Sequence, residues 1–427
     1  MTTYDDDVKN HLKFCESQVQ WLLETIEALT LLESPSTDKK AVDRCGVELH
    51  DRLCKIGAKV SQIPQSDVGN HLVAEFGEGR SQVLLLGHFD TVWPVGQLER
   101  MPIRQADGCL FGPGVYDMKA GIALSMLAVR ALHNNVTSIG RRIVMLWTTD
   151  EEIGSETSRQ AILDHADRSE AVFVMEPSLP NGALKTSRKG CGQFEMIVTG
   201  VAAHAGIEPG SGASAIHEIA KQVVELQSLG DNDRGVSLNI GTIQGGSRSN
   251  VVADEARASI DIRVPTQTDA LQVQDFLRRL ESKIAGMTVK VSGSFRPPLE
   301  RSASVIRLYK MAQRVAASMG RELSEGSTGG GSDGNLTAAH GIPTLDGLGA
   351  VGQGAHALHE HVLIDQLPWR AALIAGLIQQ RIRRTNFLAT QEYDLRNTVQ
   401  AMTAGSPKRE TRHVDAACSR WMVAEDD

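Results

Sequence analysis

Three short apolar runs constrain the fold more than any other feature of the chain. They are VLLLG at 83–87, IVMLWT at 143–148 and AVFVME at 171–176. Runs this short and this apolar are typical of strands buried on both faces, as in a parallel sheet covered by helices. Between the first two, residues 119–133 place apolar side chains at helical spacing, directly after Asp117. The alternation of strand and helix predicts an α/β fold with a mostly parallel sheet.

A different pattern occupies the middle of the chain. Residues 193–200, 236–243, 257–264 and 288–294 alternate or are β-branched, whereas 214–229 and 269–284 have the pattern of amphipathic helices. This combination predicts a smaller α+β domain at 192–301, inserted into the larger one. The α/β pattern then returns with a helix at 305–319, a glycine-rich loop at 326–334 and a closing helix at 366–383. We therefore expect a discontinuous outer domain of residues 1–191 and 302–384, followed by a polar tail at 385–427 to which we assign no chemistry.

Length and composition agree with a two-domain cytoplasmic protein. The 427 residues exceed one average domain, and the share of hydrophobic residues, 41%, is ordinary for a globular chain. No apolar run is long enough to span a bilayer, and a net charge of -8 argues against a nucleic-acid partner. The six cysteines are scattered, which suits a reducing compartment, and no secretory signal is recognisable at the amino terminus.

Chemically suited side chains follow the predicted strands. His88 and Asp90 lie two residues apart after the first run, so they face the same way and suit a metal-binding histidine with its orienting carboxylate. A hydrogen-bonded surface pair is the plainer interpretation of that spacing alone. Asp117 precedes the first predicted helix, where a helix-capping role would also explain it.

Further acids follow the second and third strands. Asp150, Glu151 and Glu152 form an acidic turn, which either is solvated or holds a cation that relieves the repulsion among the carboxylates. Glu176 ends the third run, where an unpaired buried acid would be unfavourable. Because open α/β sheets build their sites at the carboxyl ends of strands, these residues are expected to converge. One imidazole with many carboxylates suits zinc, with cobalt or manganese as substitutes, in a two-metal centre.

The combined motifs resemble one family. They are GHFDTV, GPGVYDMKAG, TTDEEIGS, VMEPS, VAAHAG, GGSRSNVV, GGGSDGN and AHALHEHV. In order and spacing they resemble the dizinc peptidase and aminoacylase family that includes bacterial glutamate carboxypeptidase, acetylornithine deacetylase and succinyl-diaminopimelate desuccinylase. The resemblance extends from about residue 20 to about residue 383, and the agreement of many separate motifs makes it specific.

The resemblance implies a role for each matching residue. Two zinc ions per chain would be bound by His88, Asp117, Glu152, Glu176 and His356, with Asp117 between the two ions. Asp90 would steady His88. Glu151 matches the general base, which takes a proton from the water held between the metals and passes it to the leaving amine.

The late histidine is chosen among three candidates. The family has a histidine four residues before a glutamate, which selects His356 with Glu360. His361 stands where the family often has an aromatic residue, so the local match is weaker, and His359 stays an alternative.

Substrate-binding residues are implied in the same way. His204 matches a histidine that reaches the neighbouring subunit's site and steadies the oxyanion, which requires a homodimer formed through the inserted lid domain. Asn250 and Arg263 match positions that bind the substrate carboxylate, although a surface ion pair is the plainer role for a strand arginine. The loop of Gly329, Gly330 and Gly331 approaches the same carboxylate. Positive potential from Arg188, Lys189 or Arg296 is also compatible with the sequence.

The leading hypothesis is a zinc-dependent hydrolase that cleaves an amide bond beside a free carboxylate, like a glutamate carboxypeptidase. Its substrate would be a small N-acyl amino acid or short peptide. An N-acyl amino acid deacylase would have the same metal ligands and differ only in the pocket for the variable group. A binding protein without catalysis is the alternative from another class, but such proteins usually lose the base, and Glu151 is present.

Overall fold

The computed structural model describes residues 4–79, 81–135 and 140–380, so the predicted tail at 385–427 lies outside the described residues. Within these ranges the helices are α1 Tyr4–Ser17, α2 Val19–Leu31, α3 Lys39–Lys55, α4 Ala120–Asn135, α5 Arg159–Asp167, α6 Ala215–Leu226, α7 Gln267–Arg278, α8 Ala303–Ser318, α9 Asp333–Ala339 and α10 Leu367–Gln379. The strands are β1 Lys59–Ile63, β2 His71–Phe76, β3 Gln82–His88, β4 Arg104–Ala106, β5 Cys109–Phe111, β6 Arg142–Thr148, β7 Ala171–Val174, β8 Leu184–Arg188, β9 Gly190–Thr199, β10 Ser237–Gly245, β11 Glu255–Val264, β12 Thr288–Arg296, β13 Glu325–Thr328, β14 Thr344–Leu345, β15 Gly352–Gln353 and β16 His361–Leu363. None of the described helices has the length and apolar character needed to cross a bilayer.

The central sheet has six strands in the order β1-β2-β6-β3-β7-β14. Strand β3 runs parallel to both β6 and β7, and β14 runs parallel to β7. At one edge, β1 and β2 form an antiparallel pair, and β2 is also antiparallel to β6. Every residue of β3 and β7 is buried, as expected for strands covered by helices on both faces. The predicted α/β class with a mostly parallel sheet is confirmed.

Helix α4 is buried in the core, and its first turn brings the loop before it close to the segment after β7. It contacts α1 and α10, and its first turn lies against the segment after β7. A Cβ atom at Gly121 would lie only 2.0 Å from the carbonyl oxygen of Met175, so glycine is required for this close approach. The contact brings the loop that carries Asp117 close to the residue that follows Met175, which is Glu176.

A second sheet is antiparallel throughout, with the strand order β10-β11-β9-β12. Burial alternates along β9 and β11, so one face of this sheet packs on a core of its own. Side chains of α6 and α7, such as Ile219 and Val273, complete that core. These elements have the α+β composition predicted for the inserted segment, and the limits of the two domains stay a prediction.

The helix predicted at 269–284 is too long, because α7 ends at Arg278. Beyond it, the backbone N–H of Lys283 donates to Glu218, and the carbonyl oxygen of Glu281 accepts from Gln222. Both partners are side chains of α6. Since α6 satisfies these backbone groups, the chain leaves the helix without losing hydrogen bonds.

The glycine-rich segment predicted as a loop at 326–334 is partly regular. Its first residues belong to β13, which runs parallel to β8, and α9 begins at Asp333. Ser332 caps α9: its hydroxyl oxygen accepts from the N–H of Gly334, and its own N–H donates to the side chain of Asn335. The loop is therefore limited to 329–332.

Candidate metal centre

The predicted metal ligands gather at one edge of the central sheet. His88 is the last residue of β3, Glu152 lies in the turn after β6, and Glu176 follows β7. Asp117 lies in the loop before α4, and His356 lies between β15 and β16. Because neighbouring parallel strands end at the same edge, side chains far apart in the sequence meet there.

His88 forms one half of the cluster. Its side chain is only 1% exposed, and its Nε2 lies 3.2 Å from Asp117 Oδ1 and 3.5 Å from Glu176 Oε1. Its Nδ1 lies 3.0 Å from the backbone carbonyl oxygen of Asp90 and 3.4 Å from that residue's carboxylate. Both the backbone and the carboxylate of Asp90 thus face the ring, and the second carboxylate oxygen accepts from the hydroxyl of Ser36.

His356 forms the other half. Its Nε2 lies 3.1 Å from Glu152 Oε2 and 3.5 Å from Asp117 Oδ2. The two oxygens of Asp117 therefore face two different histidines. Among the three late histidines, all within the described residues, His356 is the one that forms ion pairs with the acidic cluster. The ring of His361 instead packs at a tilt against Phe111, and its Nδ1 lies 2.8 Å from the carbonyl oxygen of His359.

The electrostatics of the cluster suit a bound cation. Burial lowers the pKa of His88, but hydrogen bonds with Asp117, Asp90 and Glu176 outweigh burial and raise it well above its usual value. Hydrogen bonds with Asp117 and Glu152 raise the pKa of His356 to about 10. Protons on the imidazoles thus balance the buried acids. A divalent cation would do the same, and Oε1 of Glu152, buried and without a hydrogen-bond partner in the described part of the chain, is a free donor for it.

Donor atoms also lie close enough to share ions. One atom each from His88, Asp117 and Glu152 lies within 4.8 Å of the others, and the same holds for His88, Glu151 and Glu176. Imidazole and carboxylate donors fit zinc.

Glu151 lies beside the ligands and contacts a basic residue. Arg296, at the end of β12, donates to Glu151 Oε1 over 2.8 Å and to the hydroxyl of Ser155 over 2.6 Å. Burial raises the pKa of Glu151 to about 8, even though the charge of Arg296 acts in the opposite direction. A carboxylate with a raised pKa can exchange a proton near neutral pH.

Glu360 holds the loop that carries Asp117. The side chain is 1% exposed, and its Oε1 accepts from the backbone N–H groups of Tyr116 and Asp117 over 3.0 and 3.1 Å. Its Oε2 accepts from the N–H of Gly114 and from the indole of Trp93 over 2.9 and 2.8 Å. Because Glu360 follows His356 by four residues, it links the loop that carries Asp117 to the loop that carries His356.

The predicted substrate-binding residues fall into two groups. His204 and Asn250 lie on adjacent exposed segments, joined by a hydrogen bond from Ala205 N–H to the carbonyl oxygen of Asn250. The ring nitrogen Nδ1 of His204 accepts from backbone N–H groups of its own loop. Arg263 forms a bidentate ion pair with Asp261 and contacts the thiol of Cys191. Within the described part of the chain, neither group has a hydrogen bond or ion pair with the predicted metal ligands.

The glycine loop lies nearer to Glu151. A Cβ on Gly331 would lie 3.3 Å from Cys191 Sγ and 3.4 Å from Arg296 Cδ. The carbonyl oxygens of Gly330 and Gly331 accept from Arg188. The loop thus lies beside Arg296, the residue that contacts Glu151.

Sequence reasoning missed two buried acids behind the ligands. Asp333 accepts from the hydroxyls of Ser155 and Thr148, and Asp346 forms a bidentate ion pair with Arg188. Asp333 lies inside the GGGSDGN motif, which was a usable signal. Asp346 follows a two-residue strand with no distinctive local pattern.

An α/β fold with clustered imidazoles and carboxylates is typical of a metal-dependent enzyme. The chain belongs to peptidase family M20/M25/M40, whose family model matches residues 84–380. It is therefore an enzyme that hydrolyses amide bonds.

Known proteins share sequence or fold with the chain. Carboxypeptidase G2 of Pseudomonas sp. (strain RS-16) is 29% identical over 366 residues, which cover 84% of this chain and 88% of that protein. Succinyl-diaminopimelate desuccinylase of Wolinella succinogenes is 27% identical over 351 residues, 78% of this chain and 93% of that protein. The crystal structure of aminopeptidase PepT from Bacillus cereus has a TM-score of 0.71 at 24% identity and covers 84% of this chain and 98% of its own; this similarity concerns the fold.

Proposed function

We propose that the protein is a dizinc hydrolase that cleaves an amide bond adjacent to a free carboxylate, with Glu151 as the general base. One observation carries the proposal: the two carboxylate oxygens of Asp117 face His88 on one side and His356 on the other. A carboxylate placed in this way suits a bridge between two cations.

The contacts support two ligand sets. His88, Asp117 and Glu176 would hold one ion, and His356, Asp117 and Glu152 would hold the other. Bound zinc supplies Lewis-acid polarisation of the substrate carbonyl and lowers the pKa of water. Cobalt or manganese are possible substitutes because they accept the same donors.

The chain's own residues would move the proton. Glu151 accepts a proton from the attacking water as its oxygen adds to the amide carbon, and then donates that proton to the amine nitrogen when the C–N bond breaks. Water is thus divided between the two products, a carboxylic acid and an amine. The raised pKa of Glu151, about 8, suits a group that must both take and return a proton.

Substrate recognition is assigned to the lid domain and the glycine loop. Asn250, Arg263, Gly330 and Gly331 would bind the free carboxylate, and His204 would stabilise the oxyanion in the site of a partner subunit. This arrangement requires a homodimer formed through the lid domain. Arg263 must then exchange its partner Asp261 for the substrate.

A carboxypeptidase activity is the leading candidate because carboxypeptidase G2 is the relative with 29% identity. A deacylase is the second candidate, supported by the 27% identity with a succinyl-diaminopimelate desuccinylase. We also propose a cytoplasmic location, since the cysteines of the described chain, Cys15, Cys45, Cys54, Cys109 and Cys191, are free thiols.

A zinc count and a substrate panel test the proposal. The zinc-loaded protein is assayed with acyl-glutamates, dipeptides, and N-acetyl and N-succinyl amino acids, each beside its carboxyl-amidated counterpart. We expect two zinc ions per chain and hydrolysis of free-carboxylate substrates at least about tenfold faster than of their amides, because a charge-assisted hydrogen bond is lost in the amide.

The panel also separates the outcomes. Preference for acyl-glutamates or dipeptides supports the carboxypeptidase, and preference for N-succinyl or N-acetyl substrates supports the deacylase. A zinc-loaded protein inactive on the whole panel would contradict both, and equal rates for acids and amides would contradict recognition of the carboxylate.

A further inference from the structure

Arg188 is a buried arginine whose donors are all used. The side chain is 3% exposed and lies at the end of β8. Its Nε and Nη2 donate to the two oxygens of Asp346 over 2.8 and 3.0 Å. Nη2 also donates to Glu176 over 3.1 Å, and Nη1 donates to the carbonyl oxygens of Gly330 and Gly331 over 3.2 and 2.9 Å. These contacts account for the five N–H donors of a guanidinium group.

The contact with Glu176 orients a proposed metal ligand. Arg188 holds Oε2 of Glu176, whereas Oε1 of the same carboxylate lies 3.5 Å from His88 Nε2. One oxygen is therefore directed toward the ligand cluster and the other is kept away from it. A carboxylate held in this way does not need to be ordered when a cation binds.

The contacts with the glycine loop orient its backbone. In a planar trans peptide the N–H points opposite to the carbonyl. Because the carbonyl oxygen of Gly330 faces Arg188, the N–H of Gly331 points away from Arg188. Arg188 thereby fixes the direction of a backbone donor in the loop to which we assign the substrate carboxylate.

Asp346 alone would balance the charge of Arg188. The remaining donors go to a metal ligand and to a substrate-binding loop, so the geometry of the guanidinium group, beyond its charge, joins these two parts of the site. A lysine at this position would keep the charge and reach only some of the acceptors.

We propose that Arg188 is a positioning residue that couples the metal ligand Glu176 to the carboxylate-binding loop at Gly330 and Gly331. This inference rests on the proposed function. Loss of the guanidinium group should weaken zinc binding at the His88–Glu176 side and, at the same time, weaken recognition of the substrate carboxylate. The effect on Glu176 is measurable with zinc alone, and the effect on the glycine loop is measured with a substrate.

The test compares Arg188→Lys with the unchanged protein. Zinc affinity is measured by competition with a chromogenic chelator, and KM and kcat are measured with a substrate identified by the panel. We expect zinc affinity to fall by about 10- to 100-fold, the usual effect of losing a group that orients a metal ligand. At saturating zinc, KM should rise more than kcat falls, because the glycine loop acts in binding. If the panel yields no substrate, the zinc measurement still tests the role of Arg188.

Arg141→Lys is the matched control. Arg141 is also 3% exposed and lies within reach of Glu170, but it precedes β6 at the opposite end of the sheet from the ligands. We expect this change to lower stability and leave zinc affinity unchanged. If circular dichroism shows that Arg188→Lys is misfolded, the double variant Arg188→Met with Asp346→Asn is measured instead. The second substitution removes the carboxylate charge of Asp346, which would otherwise stay buried without its partner. Unaltered zinc affinity, or unaltered KM at saturating zinc, in the folded Arg188 variant would overturn the proposal.

Discussion

Glu151 is the residue at which charge and chemistry are most closely linked. Its carboxylate contacts Arg296 and has a pKa raised to about 8 by burial. Replacing it with glutamine keeps the shape but removes the group that accepts a proton. We expect Glu151→Gln to lower kcat by about 10²-fold or more, the usual contribution of a general base, while the zinc content stays at the wild-type level. Retained turnover at full zinc content would remove Glu151 from the base role.

The two histidines make zinc binding dependent on pH. Hydrogen bonds with Asp117 and Glu152 raise the pKa of His356 to about 10, and that of His88 is also raised. Both imidazoles therefore carry protons at neutral pH, and zinc requires the neutral form. Zinc binding should release protons, so its apparent affinity should rise with pH until about pH 10.

Calorimetry in buffers of different ionisation enthalpy measures this proton release. At about pH 7 we expect on the order of one proton per histidine displaced, and His356→Ala should remove the contribution of one histidine. A heat of binding independent of the buffer would contradict the protonated state of the two rings.

At the scale of an element, the loop before α4 depends on a single carboxylate. Glu360 accepts four hydrogen bonds, three of them from the backbone of residues 114–117. In Glu360→Gln an amide NH₂ would face two N–H donors. We expect the free energy of unfolding to fall by about 1–3 kcal/mol for each buried donor left unsatisfied. Zinc affinity should also fall, because the loop carries Asp117.

Glu33→Gln is a suitable comparison for that variant. Glu33 also accepts two backbone N–H groups, from Gly96 and Leu98, in a loop without a proposed ligand. Denaturant unfolding and zinc competition are measured at about pH 8, above the raised pKa of Glu360, which is about 7. Equal zinc affinity in the two variants would show that Glu360 does not position Asp117.

At the scale of the whole molecule, the proposed site is shared between two chains. His204 is exposed, and within the described part of the chain its ring accepts hydrogen bonds from the backbone N–H groups of Gly206 and Ile207 in its own loop. We expect His204→Ala to lower kcat by about 10²-fold, in the range for loss of an oxyanion donor, without loss of zinc.

Mixed dimers test whether His204 acts across the interface. When His204→Ala and Glu151→Gln chains are unfolded and refolded together in equal amounts, half of the dimers should contain both chains and have one complete site. The mixture should recover about a quarter of the wild-type activity. Absence of recovery, with dimers verified by light scattering, would show that His204 acts within its own chain.

The sequence determined much of the local structure and the choice of the candidate site residues. The apolar runs predicted β3, β6 and β7, because burial on both faces of a sheet requires nearly continuous apolar residues. The same runs placed His88 and Glu176 at strand ends, and the periodicity of residues 119–133 predicted α4. These features depend on neighbours a few residues apart, so they are readable from the chain alone.

Only the tertiary structure decided which side chains and backbone groups position the candidate site residues. Arg188 meets Asp346, Glu360 meets the backbone around Asp117, and α7 stops early because α6 supplies its hydrogen bonds. These partners lie tens to hundreds of residues apart in the chain, so no local sequence pattern predicts the pairs. Which buried donor finds which acceptor depends on the packing of whole elements, and that packing becomes defined only when the chain is folded.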